Sequence, residues 1–309
     1  MTVAPASVVD WLLASDPDIR WQVMRDLTDA PADEVAAERA KVATEGWGAR
    51  LLALQGADGY WSGGAYKPDW TGTTGTLQLL RQFGVDPAAD AVRRAVALVR
   101  ANVRWEYDDL PYFGGEVEPC INGQAVAVGA YFGEDVRPIV DRLLTDQMAD
   151  GGWNCEQENG STRGSFDSTI NVLEGFLEYE RAVGGDADVA AARLRGQEYL
   201  LDRRLFHRLS TGEVTAPNTG VWIKFAFPTG WHYDVLRGLD HLRNAAVTPD
   251  NRMAEAIELV ESKRDEDGRW PREITYHDRL DVEMDDGEDL PSRWMTLRAM
   301  RVLRWYHGS

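Results

Sequence analysis

An all-α fold, an (α/α)6 toroid with six inner and six outer helices in one domain spanning residues 1–309, follows from three observations on the sequence. Two kinds of helical segment alternate along the chain, one apolar and one amphipathic. No run of any strength has the two-residue period of a half-buried strand. A turn pattern recurs three times, as Gln55-x-x-Asp58-Gly59-x-Trp61, Gln147-x-x-Asp150-Gly151-x-Trp153 and Arg264-x-x-Asp267-Gly268-x-Trp270. Self-similarity of this kind marks a repeat architecture. Asp-Gly turns the chain because Asp bonds its own backbone and Gly accepts φ > 0. The long polar side chain three residues earlier falls in the last turn of the preceding helix, and the Trp after the turn can stack back on that helix end.

Taken in order, residues 8–14 form the first outer helix. Residues 18–27 (DIRWQVMRDL) resemble 292–300 (SRWMTLRAM) and so belong to the inner class. Outer helices follow at 32–54, 88–102, 135–148, 188–204 and 252–263, each amphipathic and rich in Ala, Arg and Glu. Inner helices at 72–83, 121–131, 166–179, 231–242 and 293–306 are more apolar and carry small residues. Strict alternation, with first and last inner segments that match, predicts a closed ring around a central cavity; an open solenoid is the alternative.

Composition narrows the function. The chain is 44% hydrophobic and 27% charged, ordinary for a globular protein, but it holds 12 Trp against 8 Phe. Its net charge of −18 argues against nucleic acid or an anionic membrane surface as a partner. No apolar run approaches the roughly 18 residues that span a bilayer. The start, MTVAPASVVDWLLASD, lacks the basic segment of a signal peptide. Two cysteines make no disulfide framework. These features predict a cytoplasmic protein with reduced thiols, monomeric or homodimeric.

The two cysteines point to chemistry. Parallel inner helices place their N-termini at one end of the ring. Cys120 directly precedes the inner helix 121–131, Cys155 lies in the loop before 166–179, Asp167 is in that helix's first turn, and His232 is in the first turn of the next. Two thiolates and an imidazole are donors that Zn²⁺ selects, with Asp167 as the fourth ligand or the base for a bound water. Taken singly, a free cysteine is usually a small buried hydrophobe and a histidine at a helix start a packed one. The placement of the only two cysteines in equivalent positions of adjacent units favours a site. His207, His241, His277 and His307 lie outside this rim.

Aromatics gather in the same loops: Trp61, Trp70, Tyr112, Phe113, Trp153, Phe227 and Trp294. Many can be packing residues; together they predict a pocket for an apolar or cationic small molecule. Asn122, Glu156, Arg163, Glu174 and Lys224 are candidates to orient it. Arg163 and Lys224 can accept an anionic group, and Glu156 and Arg163 join Asp167 as candidate catalytic residues. No dinucleotide or phosphate-loop fingerprint is present.

The turns and the runs QMADGGWNCE, RLFHRLSTGEV, GWHYDVLRGL, GRWP and PSRWMTLRAMRVLRWY resemble the terpenoid cyclase and protein prenyltransferase superfamily, the squalene-cyclase-like toroids, over almost the whole chain. In particular they look like bacterial single-toroid proteins labelled prenyltransferase-like. The resemblance implies the toroid. It also implies a zinc location, because prenyltransferases hold zinc with Asp, Cys and His at inner-helix ends and lanthionine cyclases with Cys, Cys and His. The acidic runs at 106–109 and 281–286 do not read Asp-x-Asp-Asp, the acid motif of class II triterpene cyclases. The reading is therefore a zinc-dependent toroid enzyme acting on a small, largely apolar molecule. A metal-free terpenoid cyclase or prenyltransferase and a hydrophobic small-molecule carrier are the alternatives.

Overall fold

The computed structural model describes residues 7–215, 220–276, 279–284 and 287–308. His277 and residues 285–286 of the second acidic run lie outside them. Among the described residues the chain is all-α, with thirteen α-helices, short 3-10 turns and only isolated bridges. In order these are α1 (Val8–Leu13), α2 (Pro17–Leu27), α3 (Ala32–Ala40), α4 (Gly46–Ala53), α5 (Thr73–Phe83), α6 (Asp90–Asn102), α7 (Pro119–Tyr131), α8 (Arg137–Thr145), α9 (Phe166–Val183), α10 (Ala187–Asp202), α11 (Val235–Asn244), α12 (Ala254–Ser262) and α13 (Arg293–His307). Among the described residues no helix is long and apolar enough to cross a membrane.

Every expected helical segment is present, with two changes. The outer segment 32–54 is split into α3 and α4. Gly46 sits at φ +67° there, and a Cβ on it would stand 2.1 Å from an Asp16 carboxylate oxygen. Asp16 caps the start of α2 and also accepts from the Trp47 amide at 3.3 Å, so one side chain fixes both helix starts. The second change is that α11 begins at Val235, four residues later than the apolar pattern suggested, with Asp234 as its cap over the Arg237 amide.

The two helix classes differ in burial as their patterns require. Amphipathic helix α6 buries one stripe, Val92, Ala95, Val96 and Val99. Helix α7 is buried from Pro119 through Ala130. The recurring Trp joins the classes. Trp61, Trp153 and Trp270 each donate the indole N–H, at 2.7 Å, to a carbonyl ten residues back (Leu51, Leu143 and Val260) on the preceding outer helix. Their own amides donate to Thr73, Thr169 and Thr296 in the first turn of the following apolar helix. Gln55 and Gln147 donate to the carbonyls of Gly59 and Gly151 and to the next outer helix, at Ala95 and Ala192.

The six apolar helices are linked to one another by buried polar side chains. Gln22 of α2 donates to the Gln82 carbonyl of α5, and Gln78 of α5 to the Gln124 carbonyl of α7. Gln124 donates to Asn171 of α9, and Arg237 of α11 donates to Asn171 and Glu174. Asp240 of α11 accepts from Arg301 of α13, and Arg301 donates to Gln22 at 3.1 Å. The sequence of bonds thus returns from the last apolar helix to the first.

One buried group makes stability depend on pH. Asp18 is fully buried in α2, one oxygen accepting from the Gly48 amide and the other without a hydrogen-bond partner among the described residues. Burial, with Asp16 adjacent, pushes its pKa up to about 9. Folded protein therefore binds a proton that the unfolded chain releases near pH 4, and stability falls as pH rises between those values. Asp18→Asn is expected to stabilise the fold by about 1 kcal/mol or more near pH 8 and by much less near pH 4, measured by chemical denaturation; a pH-independent effect refutes this.

Candidate metal centre

The pairing of α7 with α9 builds the site. A Cβ on Gly123 would stand 2.5 Å from the Asn171 carbonyl carbon, and one on Gly175 would stand 2.5 Å from the Gly123 oxygen. Two glycines therefore let the helix backbones touch. Contact at this range brings the first turn of α7, with buried Cys120, against the first turn of α9. The Trp153–Ser165 bridge closes the loop between them, and Cys155 opens a single 3-10 turn within it, capped by Asn154.

Both cysteines are free thiols. Their sulfurs are 2.9 Å apart, and the Cys155 sulfur also accepts from the Cys120 amide at 3.4 Å and the Ser168 hydroxyl at 3.3 Å. Glu118, at the N-cap of α7, has an oxygen 3.6 Å from the Cys120 sulfur. Donor atoms of Glu118, Cys120 and Cys155 all lie within 4.8 Å of one another, and this group could hold a metal ion. The hydrogen bond between the two sulfurs holds the Cys155 thiol below its ordinary pKa, and the same bond with burial pushes Cys120 up. Cys155 is thus the sulfur that ionises first.

The group lies on the wall of a cleft of about 680 Å³ that also takes in Tyr66, Asp69, Glu116, Asp167 and Trp231. Asp167 is in the first turn of α9, as the sequence predicted. Its Oδ1 accepts from the Tyr233 amide at 2.7 Å, and burial raises its pKa against the opposing pull of that bond and of Arg237. Neither Asp167 nor His232 stands with the sulfurs as a third donor; Glu118 does.

His232 misses the expected place because α11 starts after it. Its ring stacks between Trp231 at 3.7 Å and Tyr276 at 3.8 Å, and burial lowers its pKa to about 4. Glu156 lines the sulfur cleft but is exposed, with its carboxylate on Asn159. Arg163 lines a separate cleft with Tyr199, Arg203 and Trp222, and Lys224 is exposed.

The aromatic residues divide. Trp61, Trp153, Tyr112 and Phe113 are core residues instead of cleft residues, and Asn122 is buried, closing the loop before α7 through the Glu116 backbone. Trp70 packs over Gly230, where a Cβ would meet it at 2.6 Å, and lines a void of about 20 Å³.

Phe227 and Trp294 line a different cavity of about 260 Å³, to which all six apolar helices contribute. The apolar pattern of those helices predicts an apolar chamber. Its wall is instead ionic, with Arg81, Glu174, Arg237, Asp240, Arg298 and Arg301 on it. A charged residue every third or fourth position on an otherwise apolar helix reads as surface in sequence, and here that face turns inward. Glu118 was missed for a related reason: two residues before Cys120, it reads as a solvated loop acid, and its role as helix cap puts it over the thiols.

No protein-family profile matches the chain, and no curated protein matches it. Among solved structures, the crystal structure of a protein from Actinoplanes aligns over 95% of this chain and 90% of its own, at 17% identity and a TM-score of 0.46.

Because the helix contact rather than any bond between the thiols sets the geometry, Gly123→Ala is expected to destabilise the fold by about 1–3 kcal/mol. The same change should slow the reaction of the two thiols with a bifunctional arsenical, read by mass spectrometry; unaltered stability and labelling argue against the helix contact as the determinant.

Proposed function

We propose that the protein is an (α/α)6 toroid enzyme that holds a zinc ion with Cys120, Cys155 and Glu118 and acts on a small, largely apolar molecule in the adjoining cleft. The closed run of bonds from α2 to α13, and the one cavity bordered by all six apolar helices, support the ring. The donor set carries the metal reading. Two thiols and a carboxylate lie within 4.8 Å at the mouth of a cleft, a combination zinc accepts. Two thiolates bound tetrahedrally at about 2.3 Å stand about 3.8 Å apart, so the sulfurs part by about 1 Å on loading. Three protein ligands leave a fourth position for water or substrate, the arrangement of catalytic sites.

Bound zinc would lower the pKa of a water or substrate thiol at that position toward about 7. The chain's own residues do the rest. Ser168 and the Cys120 amide hold the Cys155 sulfur by hydrogen bonds. Asp167, on the same wall with its pKa raised, is placed to take the proton, a role that asks for a carboxyl shifted toward the working pH. Trp231 and Tyr66 supply apolar surface for the substrate, and the resemblance to prenyltransferase-like toroids makes an isoprenoid a candidate.

Purified protein is expected to carry about one zinc per chain by plasma mass spectrometry, and Cys120→Ser and Cys155→Ser to lose it. Glu118→Gln should weaken zinc about 10–100-fold, while His232→Ala keeps it. Less than about 0.2 zinc per chain, with no uptake from buffered zinc, sinks the assignment.

A further inference from the structure

The central cavity has the wrong charge for this protein. The chain carries a net charge of −18, yet seven arginines border the cavity against three carboxylates, Glu174, Glu178 and Asp240. Even with Asp26 counted as the partner of Arg25, and buried Asp234 counted because it faces Arg298 and Arg237, two positive charges remain in excess. Buried arginines are costly unless paired, and most of these are. Arg237 makes hydrogen bonds to Glu174, Asn171 and the carbonyls of Gly230 and His232. Arg81 pairs with Glu178 and Glu174, and Arg301 with Asp240.

The remaining ones are less fully matched: Arg298 acts on buried Asp234 without an ion pair to it among the described residues. Asp240 serves Arg243 and Arg301 at close range, so Arg298 has among the described residues a single ion pair, at 3.5 Å to Asp240, although it is 7% exposed. Arg39 and Arg181 meet no carboxylate among the described residues. Arg39 donates to the Gly84 carbonyl and the Tyr131 hydroxyl, and Arg181, exposed at the cavity mouth, to the Asn244 carbonyl.

Neutral donors on the same wall are also unused. Trp294, stacked between Phe83 and Phe227, has its indole nitrogen buried without a partner among the described residues. In His241 the Gln197 amide nitrogen lies 3.1 Å from Nε2; with that amide donating, Nδ1 carries the proton and has no partner among the described residues. Burial holds His241 at a pKa of about 4, so it is a neutral donor at neutral pH.

We propose that this cavity binds a compact, multiply charged oxyanion, a phosphate ester or small polycarboxylate, received by Arg298 within and Arg181 at the mouth. Guanidinium groups present paired N–H donors matched to such oxygens. A volume of about 260 Å³ is too small for a drug-sized ligand and large enough for such an ion. The site is separate from the sulfur cleft, with which it shares no lining residue. A small void of about 20 Å³ shares Gln82 with the cavity and Tyr66, Asp69 and Trp231 with the cleft.

The test is isothermal titration of the full chain with inorganic phosphate, pyrophosphate and citrate, against chloride at matched ionic strength. Saturable one-to-one binding of at least one oxyanion is expected, and the pyrophosphate and citrate arms tell a phosphate ligand from a carboxylate one. Arg298→Gln and Arg181→Gln should each weaken it about tenfold or more, as loss of a charge-assisted hydrogen bond does. Arg181 is exposed, so its variant decides the matter if Arg298→Gln does not fold. Cys155→Ser should bind the oxyanion normally, which keeps this site's fate apart from that of the zinc. Binding no better than chloride, or binding undiminished in Arg181→Gln, overturns the proposal.

Discussion

The structure rests on a run of buried polar side chains that passes from one apolar helix to the next and comes back to its start. Gln22, Gln78, Gln124, Arg237 and Arg301 each donate across a helix boundary, and Asn171 accepts from both Gln124 and Arg237. A buried amide or guanidinium without a partner costs more than a hydrophobic misfit, so these bonds admit few alternative registers. Apolar contacts alone would leave the helices free to slide. Register along the apolar helices is what places the first turns of α7 and α9 side by side, and with them the two thiols.

The two ends of this arrangement are unlike. Where α7 and α9 begin, helix starts, two cysteines and carboxylates meet around a cleft with aromatic walls. Deeper among the helices, arginines outnumber acids. Soft donors at one place and guanidinium groups at another suit two different ligands. The narrow void by Trp70 and Trp231 shares lining residues with both regions. Tyr66, Asp69 and Trp231 border both the void and the cleft.

Much of the fold was legible in the chain because helix formation here is signalled locally. Apolar spacing, Asp and Ser caps and the three Asp-Gly turns mark where each helix starts and stops. The Trp after each turn behaves as its position suggested, binding back to the helix before it. The site was legible in part. Cys120 and Cys155 come together because both precede adjacent apolar helices, a relation visible in order along the chain. His232 stands away from the sulfurs because α11 starts four residues later than its apolar pattern suggests, which leaves the ring stacked between Trp231 and Tyr276. Asp234, the cap that causes the shift, competes with an apolar run that continues through Trp231, and periodicity alone does not resolve such a contest.

By itself, then, the sequence determined the helices, their two classes and the pairing of the cysteines, since each depends on residues near one another or on simple order. Only the tertiary structure decided which residues face the centre. Arg81, Arg237, Arg298 and Arg301 lie on helices that read as apolar, and a charge there looks like a solvated face until neighbouring helices enclose it. The same enclosure decided that Trp61 and Trp153 belong to the core and that Glu118 stands over the thiols. Inward and outward are properties of the assembled helices, fixed by packing between segments distant in sequence, and no local pattern encodes them.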